Sequence, residues 1–286
     1  MTQTDSIANI DSPETRSNMI KIHKPDDYEG MRKAGLLAAQ CLDMLVPHVK
    51  PGVSTEQLDT LAREFVLDHG ALPACVGYRG YRHTICTSIN HVICHGIPSP
   101  KTLKKGDIVN IDVTVIVDGW HGDTSRMFFA GEPKVKARRL CDITFECLWR
   151  GIEAVKPGNT LRDIGSAIQA HAQANGFSVV RDFCGHGLGR VFHDAPNVVH
   201  YGEYRDKFTG IQRAPETVLE PGMFFTIEPM INEGRPDAKM LKDNWTAVTR
   251  DKSLTAQFEH SLAVTQDGYE IFTRSPLGHD QPPYNE

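Results

Sequence analysis

The sequence predicts a mixed α/β (α+β) fold, in which two halves of similar structure build an antiparallel sheet flanked by two pairs of helices. Helix-like and strand-like segments alternate along the chain, and an Asp118-Gly119 pair separates two β-rich runs between residues 107 and 130. A Val-Lys-Pro-Gly sequence at residues 49–52 recurs at 155–158, each time between two helical stretches. Internal similarity of this kind predicts a duplicated architecture.

Four segments have the apolar spacing of amphipathic helices. Residues 26–47 form the first, which ends near Pro47, and residues 54–69 form the second. Ser54 and Thr55 open this second segment, and both residue types commonly cap helix N-termini. Residues 134–155 and 160–175 are predicted to form the second pair of helices.

Residues 107–130 are the clearest β segment, because an Asp-Gly pair between two β-rich runs is typical of a hairpin. With Asp118 and Gly119 as the turn, Thr114 pairs with Asp123. Asp112 then lies diagonally from Asp123 on the same face, since side chains alternate with period two. The alternative is a register slip that exposes one Asp to solvent. Residues 222–231 and 258–266 are expected to be further strands.

Two more pairs of segments support the duplication. Residues 103–112 resemble residues 219–228, and residues 95–97 resemble residues 186–188, in the same order as the first pair. Each match is short, so only the common order of all three pairs supports a duplication. The correspondence sets Asp112 opposite Glu228, which predicts that two carboxylates converge on one centre.

Composition and charge exclude several classes of protein. The 286 residues carry a net charge of −5, so no global basic surface points to nucleic acid as a specific partner. No apolar run approaches the length of about 18 residues that spans a membrane, and no leader segment is expected. Seven cysteines without a C-x-x-C pair favour free thiols in a reducing, cytoplasmic setting.

The polar residues at both ends are predicted to lie outside the fold. We expect a flexible N-terminal extension at residues 1–20, a single domain at 21–278 and a flexible tail at 279–286. The two similar halves of the domain would cover about residues 21–133 and 134–278.

Three further ionisable residues stand in unusual surroundings. His186 lies among glycines, whereas Glu228 and Glu259 interrupt apolar, strand-like runs. A lone Glu in such a run is usually at an exposed edge or paired with Arg or Lys. Together with Asp112 and Asp123, these residues need a common explanation. Four carboxylates and one imidazole suit a pair of hard or borderline divalent cations.

In order and local context, these five residues resemble the metal ligands of the type I methionine aminopeptidases. The matching stretches are NIDVTVIVDGWHGDTSRMF, GHGLGRVFHDAP, TIEPM, FEHSLAVT and INHVICHGIP, within residues 22–275. The ligands alone would also suit prolidase and aminopeptidase P, which share the pita-bread (creatinase/aminopeptidase) fold that the resemblance implies. We expect no counterpart of their large N-terminal domain, and residues 197–221 are too short for the type II insertion.

The resemblance also implies the role of each ligand. Asp112 would chelate one ion, Asp123 and Glu259 would bridge two, and His186 and Glu228 would hold the other. The ions could be Co²⁺, Mn²⁺, Fe²⁺ or Zn²⁺, because this donor set does not select one. A hydroxide between them would attack the first peptide bond, with Glu228 accepting a proton from water.

Two more histidines are implied to be catalytic and to bind substrate. His95 would contact the first peptide link or assist the leaving amine, and His193 would stabilise the oxyanion. Without the resemblance, each would be interpreted as structural, as His200 is. A catalytic thiol beside His95 is an alternative that leaves the carboxylates unexplained.

The resemblance finally implies a substrate pocket for a methionine side chain, apolar and rich in aromatic rings and sulfur. Any one member could equally be a core residue. The expected members are Cys75, Tyr78, Cys86, Phe192 and Trp245, with Tyr81 and Met230 nearby. The cysteine spacings do not form paired knuckles, so no structural zinc site is expected.

The implied function is metal-dependent removal of the initiator methionine from nascent polypeptides whose second residue is small. We expect a monomeric cytoplasmic hydrolase, with the ribosome as a candidate partner and no membrane partner. The alternatives are a related Xaa-Pro dipeptidase or aminopeptidase, and a non-enzymatic binding protein that has kept the fold.

Overall fold

The computed structural model describes residues 19–284 of the chain. Most of the predicted N-terminal extension, residues 1–18, therefore lies outside the described residues. Within the described range, the four predicted helical segments are confirmed. They are α1 (Pro25–Leu45), α2 (Thr55–Asp68), α3 (Val135–Glu153) and α4 (Leu161–Ala174). No helix in residues 19–284 combines the length and apolar character needed to cross a membrane.

Side-chain caps explain where two of the helices begin. The Ser54 hydroxyl accepts a hydrogen bond from the Gln57 amide, and the Gln57 side chain accepts one from the Ser54 amide in return. Thr160 and Asp163 form the same reciprocal pair at the start of α4. Each pair satisfies two amides that a helix leaves without intrahelical partners.

The first half of the described chain is built around a hairpin of two long strands. Its strands are β1 (Leu72–Pro73), β2 (Ile85–Ile89), β3 (Val92–Cys94), β4 (Asp107–Val117) and β5 (Trp120–Ala130). β4 pairs antiparallel with β1, β2 and β5. Ile111, Val113 and Val115 on one face of β4 are fully buried in a core with Leu42 of α1 and Leu58 of α2.

The register of the β4–β5 hairpin agrees with the prediction. Asp118 and Gly119 both have positive φ, at 50° and 81°, which is the geometry of a two-residue hairpin turn. Thr114 pairs with Asp123, and Asp112 pairs with Ser125. Asp112 and Asp123 therefore lie diagonally on one face, and no register slip occurs.

The second half contains more and shorter strands. They are β6 (Ser178–Val179), β7 (Gly185–Gly187), β8 (Asp194–Val198), β9 (Glu203–Asp206), β10 (Gly210–Arg213), β11 (Phe224–Ile227), β12 (Met230–Asn232), β13 (Ala238–Met240), β14 (Ala247–Thr249), β15 (Thr255–Gln257), β16 (His260–Val264) and β17 (Tyr269–Ile271). The main sheet has the order β17-β16-β11-β7-β8. Phe225, Ile227 and Leu262 of this sheet share a buried core with Leu140 of α3 and Ile164 of α4.

The segment predicted as one strand at residues 222–231 is divided in the structure. β11 ends at Ile227, and β12 begins at Met230, with Glu228 and Pro229 between them. Proline has no amide hydrogen to donate to a ladder, which is consistent with a break there. Strand β16 occupies most of the other predicted segment, residues 258–266, but begins only at His260.

The two halves meet where β5 approaches the start of β16. The Glu259 amide donates to the Ser125 carbonyl at 3.0 Å, and the Thr124 hydroxyl donates to the Glu259 carbonyl at 2.7 Å. The Ser261 hydroxyl donates to the Asp123 carbonyl at 2.6 Å. These bonds fix the backbone of Glu259 beside that of β5 and bring a carboxylate from each half together.

The C-terminal residues differ from the prediction of a flexible tail at 279–286. The Tyr284 hydroxyl donates to the Met127 carbonyl at 2.7 Å, and the Gln281 amide donates to Asp142 of α3 at 2.9 Å. Asp280 is buried and accepts a hydrogen bond from the Ser275 amide. Residues 279–284 are therefore packed on the domain, because their polar groups find specific protein partners that composition does not show. Residues 285 and 286 lie outside the described range.

Candidate active site

The structure brings the predicted ligands from both halves to one place. Asp112 and Asp123 come from β4 and β5, His186 comes from β7, and Glu228 and Glu259 adjoin β11 and β16. One ligand atom each of Asp123, His186 and Glu259 can be chosen so that all three lie within 4.8 Å of one another. The His186 Nε2 atom is 3.5 Å from Asp123 Oδ2 and 3.8 Å from Glu228 Oε1.

These separations fit a shared cation. Donor atoms at about 2.0–2.2 Å from one ion lie roughly 3–4 Å apart. The His186 Nδ1 atom is 3.1 Å from the Gly187 carbonyl. A carbonyl can only accept, so a neutral His186 ring carries its proton on Nδ1, and the Nε2 lone pair faces the carboxylates. A hydrogen bond on the far ring nitrogen is the usual arrangement for a metal-ligating histidine.

The electrostatics of the cluster also favour a cation. Burial, followed by the negative charge of neighbouring carboxylates, raises the pKa of Asp112 and of Glu259 well above the ordinary range. Burial and the charge of Asp123 raise the pKa of Glu228 to about 7, although His186 opposes this shift. Burial alone would lower the pKa of His186, but the hydrogen bond to Asp123 and the charges of Glu228 and Asp123 raise it to about 9. Crowded buried carboxylates are stabilised by positive charge, so the donor set fits divalent metal.

Hydrogen bonds to the carboxylates orient the cluster. The Thr114 hydroxyl donates to Asp123 Oδ1 at 2.7 Å, and the Thr226 hydroxyl donates to Glu228 Oε1 at 2.9 Å. Gln257 Nε2 donates to Glu228 Oε2 at 3.2 Å. Sequence reasoning assigned none of these supporting roles, although the hairpin register already placed Thr114 opposite Asp123.

His200 is another supporting residue, and the sequence did not distinguish it from other structural histidines. Its Nε2 atom accepts a hydrogen bond from the Glu228 amide at 3.1 Å. The ring is fully buried, and burial lowers the pKa of His200 to about 3. The ring therefore stays neutral and keeps an acceptor available for the Glu228 backbone.

His95 and His193 come from opposite halves of the chain, and the charge of His95 acts on His193. The His193 ring lies 4.2 Å from the His186 ring, and burial, aided by the neighbouring histidines, lowers the pKa of His193 to about 2. His95 has a φ of 56°, which is uncommon for a residue with a Cβ and typical of strained functional positions. Its ring lies edge-on to Phe183, with ring centroids 5.7 Å apart.

The residues predicted for the substrate pocket form one cluster. Buried Cys75, Tyr81 and Cys86 pack with partly buried Phe192 and Trp245. Ile97 also packs there, and Tyr78 joins through its contact with Phe192; we call this group the pocket cluster. The Tyr78 and Phe192 ring centroids are 4.9 Å apart, and those of Tyr81 and Trp245 are 5.0 Å apart. The strand register sets Cys86 opposite Asp112, so this pocket cluster borders the carboxylates.

One detail of the pocket was not predicted. Ile97 packs in the pocket cluster, although sequence reasoning did not select it. Met230 packs with Ile93 and Cys94 in a different hydrophobic cluster, and its expected position near the pocket stays a prediction. All seven cysteines lie in the described range and are free thiols.

The fold and this site define the class of protein. Residues 29–266 match metallopeptidase family M24, and the chain belongs to this family. It is therefore a metal-dependent hydrolase. The mixed α/β architecture is the pita-bread fold that the sequence predicted.

More specific similarities are to methionine aminopeptidases. The Rickettsia prowazekii methionine aminopeptidase is 54% identical over 266 residues, which are 93% of this chain and 99% of the relative. The Escherichia coli (strain K12) methionine aminopeptidase is 53% identical over 256 residues, covering 89% of this chain and 94% of the relative. These relatives confirm the resemblance seen in the sequence.

Solved structures agree. The crystal structure of the Rickettsia prowazekii methionine aminopeptidase has a TM-score of 0.85 at 54% identity and covers 89% of this chain and 100% of that one. The Thermotoga maritima methionine aminopeptidase has a TM-score of 0.84 at 37% identity, covering 89% and 99%. A prolidase from Pyrococcus furiosus, 22% identical with a TM-score of 0.67 over 88% of this chain and 65% of that one, shares the fold.

Proposed function

We propose that this protein removes the initiator methionine from polypeptides whose second residue is small. The observation that carries the proposal is the position of the pocket cluster. A cluster of thiols and aromatic rings borders the carboxylate and histidine donors, in a chain 54% identical to a methionine aminopeptidase. A polarizable, apolar lining is suited to the thioether side chain of methionine.

The donor set suggests how two divalent ions would be held. Asp123 and Glu259 come from different halves, and one oxygen of each lies within 4.8 Å of the other and of a His186 ring nitrogen, so both would help to hold the ions. Asp112 would complete one site, and His186 and Glu228 the other. Bound divalent ions supply Lewis-acid polarisation of a carbonyl and activation of water at neutral pH.

The protein's own side chains would orient the substrate and move protons. Glu228, held by Thr226 and Gln257, is the proposed acceptor of the proton from water. His193, whose ring is neutral and lies against His186, would donate a hydrogen bond to the developing oxyanion. His95 would bind the first peptide link and assist the departing amine. The methionine side chain would enter the pocket cluster.

Several finer features belong to the same proposal. The free thiols suit a reducing compartment, so we place the enzyme in the cytoplasm, where nascent chains expose their N-termini. We expect the chain to act as a monomer, with the ribosome as a candidate partner. Which of Co²⁺, Mn²⁺, Fe²⁺ and Zn²⁺ serves the enzyme is set by availability as much as by these ligands.

One experiment tests the proposal directly. The metal content of wild-type protein and of the Asp112→Ala variant is measured, together with methionine release from a Met-Ala peptide in the presence of Mn²⁺, Fe²⁺ or Co²⁺. We expect release by the wild type, and both lower metal content and lost activity in the variant. Preferential hydrolysis of Xaa-Pro peptides would select the dipeptidase alternative. Absence of any hydrolysis with all three metals would favour a binding protein.

A further inference from the structure

His121 is a buried, ionisable residue that the proposed reaction does not use. It lies on β5, two residues before Asp123 and on the same face, and only 9% of its surface is exposed. Both the backbone amide and the Nδ1 atom of His121 bind the Gly189 carbonyl, at 2.8 and 2.9 Å. The ring from the first half is therefore fixed to a loop of the second half.

That loop carries two residues of the proposed site. Phe192 and His193 follow Gly189 by three and four positions, and Phe192 belongs to the pocket cluster. The His121 ring lies nearly parallel to the Phe192 ring, with centroids 5.6 Å apart and planes inclined by 15°. The Phe192 ring also contacts the Tyr78 ring at 4.9 Å. Phe192 thus contacts both a ring from β5 and a ring of the pocket cluster.

We infer that His121 is a positioning residue whose ring holds Phe192 in the wall of the methionine pocket, an inference that rests on the proposed function. The bond from Nδ1 to Gly189 sets the plane of the His121 ring, and that ring limits how far Phe192 can move away from Tyr78. Because β5 also carries Asp123, the same strand sets the distance between the pocket wall and the candidate metal ligands. The depth of the pocket would then depend on His121.

Two substitutions separate the ring from the hydrogen bond. His121→Asn keeps a donor near the Nδ1 position and removes the ring, whereas His121→Phe keeps a flat ring and removes the donor. We expect His121→Asn to raise KM for a Met-Ala peptide roughly three- to tenfold, the usual size of a lost aromatic contact. The change in kcat should be smaller. Preference for Met-Ala over Leu-Ala and Ala-Ala peptides should fall by a similar factor, and His121→Phe should recover most of it.

A double-mutant cycle tests whether the effect passes through Phe192. In a Phe192→Leu background, His121→Asn should change the preference for methionine by less than twofold, because the ring that it supports is gone. His69→Asn is the matched control, since His69 Nδ1 also binds a carbonyl, that of Phe65, and its ring also contacts the Phe65 ring. It lies at the end of α2, and we expect wild-type kinetics from it.

Metal content and the unfolding temperature are measured for every variant, so that a misfolded protein is recognised. If wild-type protein releases no methionine, the proposed function fails, and the role of His121 falls with it. If the wild type is active and His121→Asn keeps the wild-type preference, only the inference about His121 is wrong. The inference about His121 is also wrong if His121→Phe lowers the preference for methionine as much as His121→Asn does. It is wrong as well if His121→Asn changes that preference equally in the wild-type and Phe192→Leu backgrounds.

Discussion

Thr114 and Asp123 face each other across the β4–β5 hairpin, and the Thr114 hydroxyl donates to Asp123 Oδ1 at 2.7 Å. The other oxygen of Asp123 lies 3.5 Å from His186 Nε2. The Thr114 hydroxyl therefore fixes the orientation of the Asp123 carboxylate, with Oδ2 directed at His186 in the candidate metal centre. Hydrogen bonds of this kind orient a ligand before any cation binds.

Replacing Thr114 with valine should weaken metal binding without unfolding the protein. Valine has a similar shape and a high strand propensity, but it cannot donate to Asp123. We expect the affinity for Mn²⁺ to fall about 10- to 100-fold, as measured by titration calorimetry on metal-free protein. Thr60→Val is the control, because the Thr60 hydroxyl binds only its own helix on the exposed side of α2. Equal Mn²⁺ affinities in the two variants would contradict this role for Thr114.

Replacing Asp112 with asparagine should have opposite effects on the metal-free and metal-loaded proteins. Burial and the charges of Asp123 and Glu228 raise the pKa of Asp112 because they oppose its negative charge. Asp112→Asn removes that repulsion, so the unfolding temperature of metal-free protein should rise. The stabilisation that Mn²⁺ gives should fall, because a ligand is lost.

Scanning calorimetry on Asp112→Asn, with a chelator and with Mn²⁺, measures the unfolding temperature of the metal-free protein and the rise in that temperature that Mn²⁺ causes. Asp68→Asn, which removes a charge from the exposed end of α2, is the control and should change neither by more than a degree or so. A metal-free Asp112→Asn protein that melts below the wild type would show that repulsion among the carboxylates is not the dominant local effect.

The sequence predicted the features that depend on local rules. Residues Asp118 and Gly119 can adopt the positive φ of a tight turn, and strand periodicity then placed Asp112 and Asp123 on one face. Capping chemistry likewise indicated where α2 begins, directly after its N-cap residue Ser54. These features need only neighbouring residues, so pattern and turn chemistry were sufficient.

The remaining features depend on contacts between distant parts of the chain. His200 and Gln257 reach Glu228 from 28 and 29 residues away, and no local pattern marks either of them as a partner. Polar composition suggested that Tyr284 lies in a flexible tail, yet its hydroxyl binds Met127, 157 residues earlier. Only packing of the complete fold determines such pairs, which is why the sequence predicted the ligands better than their supports.

Removing the His95 side chain should slow the reaction and leave the metals in place. Asparagine is the replacement to use, because it tolerates the φ of 56° better than alanine does. The His95 ring contacts Phe183 and Trp245, so we assign it to the substrate and not to a metal. We expect His95→Asn to lower kcat about 100-fold, with metal content unchanged by elemental analysis. Loss of metal from this variant would show that His95 is instead a ligand or supports one.

His23 should make stability sensitive to acid. Its ring stacks on Phe224 with centroids 4.0 Å apart, and burial, then the charge of Lys21, lowers the pKa of His23 from 6.5, although Asp27 opposes this. The unfolded chain therefore binds the proton more readily than the folded chain. The contribution of the neutral, buried His23 ring to the free energy of unfolding is fully present above about pH 6.5 and is lost as the pH falls below it.

The substitution His23→Phe isolates this effect, because it keeps a ring against Phe224 and removes the titration. Between pH 7 and pH 5, the free energy of unfolding measured in urea should fall less in His23→Phe than in the wild type. An equal decrease in the two proteins would contradict the prediction. It would mean that the folded and unfolded chains bind the same number of protons at His23 between pH 7 and pH 5.

The buried pair of Arg126 and Asp43 should contribute far more to stability than an exposed pair does. Arg126 is 1% exposed and donates to Asp43, which also accepts a hydrogen bond from the Ser275 hydroxyl. Asp43→Ala leaves a buried guanidinium without its counterion, and should lower the free energy of unfolding by about 3–5 kcal/mol. Glu270→Ala breaks the pair with the half-exposed Arg32 and should cost about 1 kcal/mol or less. Denaturant unfolding of metal-free proteins compares the two, and similar losses would mean that Arg126 finds another acceptor or water when Asp43 is removed.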